Sequence, residues 1–291
     1  EMSAGVSIYR RPSGLMQSAN TLGLYLLCLL PLSLSALFWT GSIFARLFCL
    51  GTFAAGTMAL IITYSRGSWL GFIFGSLVFF LWLLRKKLIT YRRHFHLLAL
   101  FALLVMMILV IMWPKIMDRL LHTPSIPIHT RTFLTRLCLK VCATHPLLGV
   151  GLNTSAETAT RMILTVRDPH NIIDYVMANP LVHNLYLLML SEIGLLGLSV
   201  FLCLLVALFR QALKAIQIQD RLAMSVGVAI YSALSGFLVA ELFDFSYRLD
   251  QVFYLFWALS GLIVAINRRQ THLDSTASTD AEEQYAVTPS G

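Results

Sequence analysis

The sequence predicts an all-α integral membrane protein, with about seven transmembrane helices and one large periplasmic loop containing amphipathic helices. Of its 291 residues, 57% are hydrophobic and only 12% are charged, whereas a soluble domain carries about 25% charged residues. The apolar runs are about 17 to 25 residues long, the length that a helix needs to span the ~30 Å hydrocarbon core. The alternating segments of about ten residues that are typical of membrane β-barrels do not occur in the sequence.

Seven apolar runs predict the transmembrane helices. They cover approximately 20–39, 47–63, 69–84, 97–113, 184–209, 222–243 and 251–267. The predicted organisation is therefore four membrane helices in residues 1–113, the large loop at 114–183, and three membrane helices in residues 184–267. Residues 268–291 become polar, small and acidic, a composition that cannot bury a core, so we expect a disordered cytoplasmic tail.

Basic residues indicate how the helices are oriented. The net charge is +8. If the helices alternate strictly, the clusters at 85–93, 210–221 and 268–269 share one side, which the positive-inside rule makes cytoplasmic. Residues 1–18, 65–68, 114–183 and 244–250 then lie together on the periplasmic side. Because the basic residues lie beside membrane helices, they indicate orientation in a lipid bilayer, and we expect no nucleic-acid partner.

The start of the chain and its cysteines bear on completeness and on metal binding. The chain begins at Glu1, without a signal peptide, so we expect it to be the C-terminal part of a longer protein. Three of the five cysteines lie in apolar runs, and the simplest interpretation is that they are small buried side chains. Cys138 and Cys142 share a helix face near His145, but a zinc site needs a fourth ligand and a different spacing. We expect no metal and no cofactor.

The strongest candidate functional segment runs from His183 to Gly197, where the long polar segment ends and an apolar run begins. A histidine at the end of a membrane helix, near the membrane surface, is a candidate functional residue, because its side chain exchanges protons near neutral pH. Gly194 and Gly197 would allow another helix backbone to approach closely. The alternative interpretation is a polar helix start followed by ordinary packing of small residues.

Two arginines outside this segment are candidates for anion binding. Arg66 is the only charged residue between the second and third apolar runs. It is either an interfacial side chain that reaches the headgroups or a guanidinium that binds phosphate with two hydrogen bonds. Arg131 begins a predicted amphipathic helix that ends at about Thr144, and it lies away from the apolar face of that helix. The glycines of the following segment, HPLLGVG at 145–151, are interpreted as turn residues.

Four segments together resemble the O-antigen ligase family of bacterial inner-membrane proteins. His183-Asn184, followed nine residues later by Gly194-x-x-Gly197, resembles the family signature; His170-Asn171 repeats the pair without the glycines. TYSRGSWLG at 63–71, RRPSGLMQSANTLGLYL at 10–26 and residues 131–151 are similar to other family segments, and the likeness covers about 10–265. The chain departs from the family pattern at Thr135, where a large aromatic residue is common, and in lacking the first membrane helices.

The resemblance implies a glycosyltransferase that moves a glycan from a polyprenyl-diphosphate carrier to an acceptor hydroxyl on the periplasmic side, with the lipid A core as the expected acceptor. His183 would accept or orient the proton of that hydroxyl. Three arginines would hold the diphosphate: Arg11, Arg66 and Arg131. Three further residues would support the site: Asn184, Asp244 and Arg248. No cluster of carboxylates stands out on the periplasmic side of the sequence, so the expected reaction is metal-independent.

Three alternatives remain open at the level of the sequence. An O-antigen polymerase or a protein O-oligosaccharyltransferase would share the site and differ only in its acceptor. A transporter of lipid-linked sugars would place intramembrane charges along a pathway and often shows internal repeats, and the sequence has neither feature. A degenerate, inactive fragment is the third alternative.

Overall fold

The structure is a computed structural model that describes residues 11–86, 110, 113–114, 117–118, 125–163 and 180–287. All regular secondary structure in these residues is helical, which confirms the predicted fold class. The helices are α1 (Ala19–Trp39), α2 (Ile43–Ile62), α3 (Arg66–Arg85), α4 (Ser125–Thr144), α5 (Ser155–Ile163), α6 (Leu185–Gln217), α7 (Arg221–Ala240) and α8 (Asp250–Val287), with a short 3-10 helix at Ser246–Arg248.

Six of these helices are long and apolar enough to cross a membrane. They are α1, α2, α3, α6, α7 and the part of α8 as far as Leu273, and they correspond to six of the seven predicted runs. Most of the remaining run at 97–113, most of the basic cluster at 85–93, and His170 lie outside the described residues.

Helix α7 lies at the centre of the bundle, where it packs against α1, α3 and α6. Glycines allow α3 and α7 to approach closely. A Cβ atom on Gly71 would lie 2.5 Å from the carbonyl oxygen of Gly236, and one on Gly75 would lie 2.7 Å from that of Ser232. Small residues at helix crossings let membrane helices gain van der Waals contact, and this crossing fixes the start of α3 beside the end of α7.

The long loop contains two helices in its described part. Helix α4 confirms the predicted amphipathic helix, because Leu134, Leu137 and Val141 are buried while Arg131 and Lys140 are exposed. It packs against α6, where the Cys138 thiol donates to the carbonyl oxygen of Leu187 at 3.3 Å. Helix α5 was not identified from the sequence; it packs against α4 through a small cluster that includes Ala159 and Ile163.

Helix α6 is broken at Gly194, which has φ 64° and ψ −171°. This conformation is essentially confined to glycine. A Cβ atom there would lie 2.2 Å from the carbonyl oxygen of Leu147, so the close neighbour is the loop at 145–151. The sequence predicted that Gly194 and Gly197 allow another helix to approach closely. For Gly194 this interpretation was wrong, because the segment that approaches it is a loop.

The loop at 145–151 replaces the helical hydrogen bonds that the break removes. Backbone N–H groups after the break donate to loop carbonyls, and loop N–H groups donate to carbonyls before it. The four bonds are Leu195 to Pro146 (2.9 Å), Leu196 to Leu147 (3.2 Å), Val150 to Ser191 (2.9 Å) and Gly151 to Glu192 (2.8 Å). Because freed backbone groups in a membrane helix must find partners, the break and the docked loop form one structural unit.

Helix α8 continues to Val287, through most of the segment that composition predicted to be a disordered tail. Its final turns are rich in alanine, glutamate and glutamine, which have high helix propensity. The sequence has no proline after the apolar run until Pro289, and a residue that precedes proline is disfavoured in a helix. Local propensity therefore extends the helix beyond the apolar residues that pack in the bundle.

Candidate active site

A cavity of about 310 Å³ lies at one end of the bundle. It is lined by residues at the start of α1, in the turn between α2 and α3, on α4, and after the end of α7. Alternating helices bring these segments to the same end, as the sequence analysis predicted. In the turn, Tyr64 has a positive φ of 52°, and its ring lies 6.4 Å from that of Trp69.

All three arginines predicted to bind the diphosphate line this cavity. The Arg11 guanidinium donates from Nε to the carbonyl oxygen of Thr63 at 2.8 Å and from Nη2 to Asn20 Oδ1 at 2.6 Å. Arg66 is half-buried as the first residue of α3, and Arg131 is exposed on α4. The cavity therefore gathers positive charge from three separate segments of the chain.

His183 and Asp244 form a pair at the edge of the cavity. Asp244 lines the cavity, and its Oδ1 lies 3.3 Å from Nδ1 of His183, which is not itself among the lining residues. Burial raises the pKa of Asp244, but hydrogen bonds from His183 and from Ser246, together with electrostatic attraction to the protonated form of His183, lower it by more, so the net pKa lies below the ordinary value. The ionised carboxylate orients the imidazole so that Nε2 points away from it.

Asn184 has a structural position beside this pair. Its Oδ1 accepts from the N–H of Leu187 at 2.9 Å as the N-cap of α6, and its Nδ2 donates to the carbonyl oxygen of Leu242 at 2.9 Å. The next N–H, on Leu185, donates to the carbonyl oxygen of Glu241 at 3.0 Å. These bonds fix the start of α6 to the turn after α7, and so fix His183 relative to Asp244.

Arg248 lies away from the cavity, at the break in α6. Its Nη1 is paired with Oε2 of Glu192, and its Nη2 with Oδ1 of Asn153. Glu192 is only 2% exposed, and its Oε1 also accepts from Ser155 Oγ at 2.8 Å. This network joins the docked loop, α6 and the 3-10 helix. The sequence analysis missed Glu192, although an acidic residue inside an apolar run is a signal for a buried functional or structural partner.

Glu241 is a second acidic residue that the sequence analysis missed. It is fully buried at the wall of the cavity, where its Oε1 accepts from the N–H of Tyr247 at 3.2 Å and its Oε2 has no hydrogen-bond partner among the described residues. Burial, and then the nearby charge of Asp244, raise the pKa of Glu241 well above its ordinary value, although the N–H of Tyr247 opposes this. Folding therefore favours the protonated form of this carboxyl group.

The charged side chains that line the cavity favour an anionic ligand. Three guanidinium groups and the Asp244 carboxylate line the cavity together with Glu241, whose raised pKa favours its neutral form. Arginine binds phosphate oxygens with paired hydrogen bonds. Among the described residues, no group of three or more His, Cys, Asp or Glu side chains could hold a metal ion; metal independence of the reaction stays a prediction.

Comparison with protein families gives one match. A family model described as O-antigen ligase matches residues 50–202, which is 153 of the 291 residues. The matched region contains Arg66, Arg131, His183 and the break at Gly194. A comparison with curated proteins finds no significant match.

Proposed function

The chain belongs to the O-antigen ligase family, and on that premise we propose that it transfers a glycan from a polyprenyl-diphosphate carrier to an acceptor hydroxyl at the periplasmic face of the bacterial inner membrane. Its family and its six described spans make it a multi-pass membrane protein of glycosyltransferase type. The observation that carries the finer proposal is the cavity, where three arginines meet the His183–Asp244 pair at one end of the membrane helices.

The arginines suit the donor. A lipid diphosphate is a good leaving group, so catalysis depends mainly on stabilising the charge that develops on it. Arg66 and Arg131 would bind the diphosphate oxygens from two sides of the cavity. Arg11 is held by Thr63 and Asn20, so its charge is pre-positioned before the donor arrives.

The His183–Asp244 pair suits the acceptor. In the proposed step, the acceptor hydroxyl oxygen attacks the anomeric carbon and the bond from that carbon to the diphosphate oxygen breaks. Nε2 of His183 takes the hydroxyl proton, and the lipid diphosphate leaves with the bonding electrons. Asp244 stabilises the imidazolium that forms, and general-base assistance of this kind contributes about 10²–10⁴-fold. Attack in a single step inverts the anomeric centre.

The orientation of the protein follows from the distribution of charge. The described basic residues at the other end of the bundle include Lys214 at the end of α6, Arg221 at the start of α7, and Arg268 in α8. Under the positive-inside rule, this distribution supports a cytoplasmic location for that end and a periplasmic location for the cavity, where the acceptor would be the lipid A core. An O-antigen polymerase or a protein O-oligosaccharyltransferase would use the same cavity with another acceptor.

Complementation of a ligase-deficient strain with the full-length protein tests this proposal. We compare wild type with His183→Ala and with the control His145→Ala, which removes an exposed histidine that does not line the cavity. Wild type and the control should restore long-chain lipopolysaccharide on a gel, whereas His183→Ala should not. Restoration by His183→Ala would refute the role of the histidine. If wild type fails while lipid-linked glycan accumulates, the lipid A core is not the acceptor.

A further inference from the structure

A second cavity lies at the opposite end of the bundle, between the end of α6 and the polar part of α8. Its volume is about 520 Å³. On α8 its lining residues recur at helical spacing on one face, and two residues of α6 close the other side. The polar and charged lining residues include Gln211, Lys214, Asn267, Arg268, Thr271 and His272.

The two helices are joined at this cleft. Nδ2 of Asn267 donates to the carbonyl oxygen of Gln211 at 2.9 Å and to its Oε1 at 2.8 Å. Oδ1 of Asn267 is buried and has no hydrogen-bond partner among the described residues. Since a buried acceptor is normally paired, a donor from a bound molecule, such as a hydroxyl or ammonium group, would satisfy it.

The charge of the cleft is positive. Lys214 and Arg268 supply two permanent cations, and none of the described side chains that line the cleft is acidic. The cleft lies where two membrane helices leave the apolar core, which is the depth of lipid headgroups. Basic pockets between membrane helices on the cytoplasmic side attract anionic headgroups, and arginine pairs with phosphate oxygens.

We propose that this cleft binds the phosphate of an anionic phospholipid headgroup, with Lys214 and Arg268 as its cationic contacts. Asn267 accepts a hydrogen bond from a donor elsewhere on the headgroup. This site is separate from the periplasmic cavity, so the proposal depends on the membrane topology and not on glycan transfer.

Two neighbouring arginines allow a specific binding site to be distinguished from the general effect of positive charge on membrane topology. Arg269 follows Arg268 directly but lies on another face of α8 and does not line the cleft. The positive-inside effect depends on charge near the membrane end and would treat the two arginines alike. A binding site would distinguish them, so Arg268→Gln and Arg269→Gln form a matched pair with the same change in charge.

The test measures retention of phosphatidylglycerol by the full-length protein in phosphatidylcholine nanodiscs, using native mass spectrometry. Arg268→Gln should weaken the affinity for phosphatidylglycerol by about fivefold, since a cation near an anionic headgroup contributes about 1 kcal/mol. Arg269→Gln should remain near wild type. Lys214→Gln provides a second variant on the other helix and should weaken binding to a similar extent.

Two results would overturn the proposal. Equal losses in Arg268→Gln and Arg269→Gln would show that only overall charge matters. Full displacement of phosphatidylglycerol by inorganic phosphate at equal concentration would identify the cleft as a site for free phosphate, because the lipid part would then add nothing. Persistence of the difference between the two arginine variants in excess inorganic phosphate would support the lipid headgroup.

Discussion

Replacement of Gly194 by alanine should separate the docked loop from α6 and abolish glycan transfer. The substitution adds one methyl group at a residue with φ 64° and ψ −171°. That methyl carbon would lie 2.2 Å from the carbonyl oxygen of Leu147 and 2.5 Å from the amide nitrogen of Leu148. Both are backbone atoms, so a side-chain rotation cannot relieve the clash and the loop must move.

The size of the effect follows from two contributions. A non-glycine residue in this backbone conformation costs about 1–3 kcal/mol. The close contact of the added methyl carbon with two backbone atoms raises this cost, whereas the four loop-to-helix hydrogen bonds, each contributing about 0.5–1.5 kcal/mol, oppose undocking. The conformational cost alone lowers the population of docked relative to undocked molecules by about 5- to 150-fold. Since the loop directly follows α4, Arg131 would lose its fixed position at the cavity.

The assay compares Gly194→Ala with Gly261→Ala in the purified full-length protein. Gly261 lies in α8, where a Cβ atom would meet nothing within 4 Å, so that substitution should be neutral or slightly stabilising. Hydrogen exchange at the amides of Val150 and Gly151 reports docking, and transfer from the lipid-linked donor reports function. Unchanged exchange and full transfer in Gly194→Ala would refute the reasoning.

Two further predictions concern the buried acids. Glu192→Gln should destabilise the protein by about 1.5–3 kcal/mol, because the half-buried Arg248 loses the charged acceptor of its hydrogen bond; in denaturation experiments the double variant Glu192→Gln/Arg248→Gln should be less destabilised than the single one, and additive effects would contradict the pairing. The raised pKa of Glu241 means that the folded protein binds this proton more tightly than the unfolded chain, so stability should fall as the pH rises from about 4.5 through the folded-state pKa. Glu241→Gln should remove that part of the pH dependence of thermal unfolding, and an unchanged profile would show that Glu241 is ionised.

The membrane helices could be predicted from the sequence because span length and composition are local properties. Alternation of the spans then placed distant charges on one side, and the structure brings Arg11, Arg66, Arg131 and Asp244 to a single cavity. Alternation alone does not give distances. The 3.3 Å contact of Asp244 with His183 depends on how α6 begins beside the end of α7.

The features missed from the sequence depend on long-range contacts. From the sequence alone, Gly194 is interpreted as a small residue at a crossing of two helices, because the loop that docks against it cannot be predicted locally. Glu192 and Glu241 are single acids in apolar surroundings, and their partners, Arg248 and the N–H of Tyr247, are distant or non-obvious in the sequence. The extension of α8 was missed for the opposite reason, because composition was weighed above local helix propensity.

The most direct test of the proposed function is the rate of glycan transfer by purified full-length protein carrying Arg66→Lys, compared with wild type and Arg85→Lys. Both substitutions keep the charge and lie at opposite ends of α3; Arg66 lines the cavity, whereas the Arg85 guanidinium lies 5.5 Å from the centroid of the Trp82 ring. Lysine cannot form paired hydrogen bonds with phosphate oxygens, so Arg66→Lys should lose about 10- to 100-fold in transfer, in line with about 1.5–3 kcal/mol for one hydrogen bond to a charged group, while Arg85→Lys should transfer normally. Normal transfer by Arg66→Lys would contradict the proposal that this cavity binds the diphosphate of the donor.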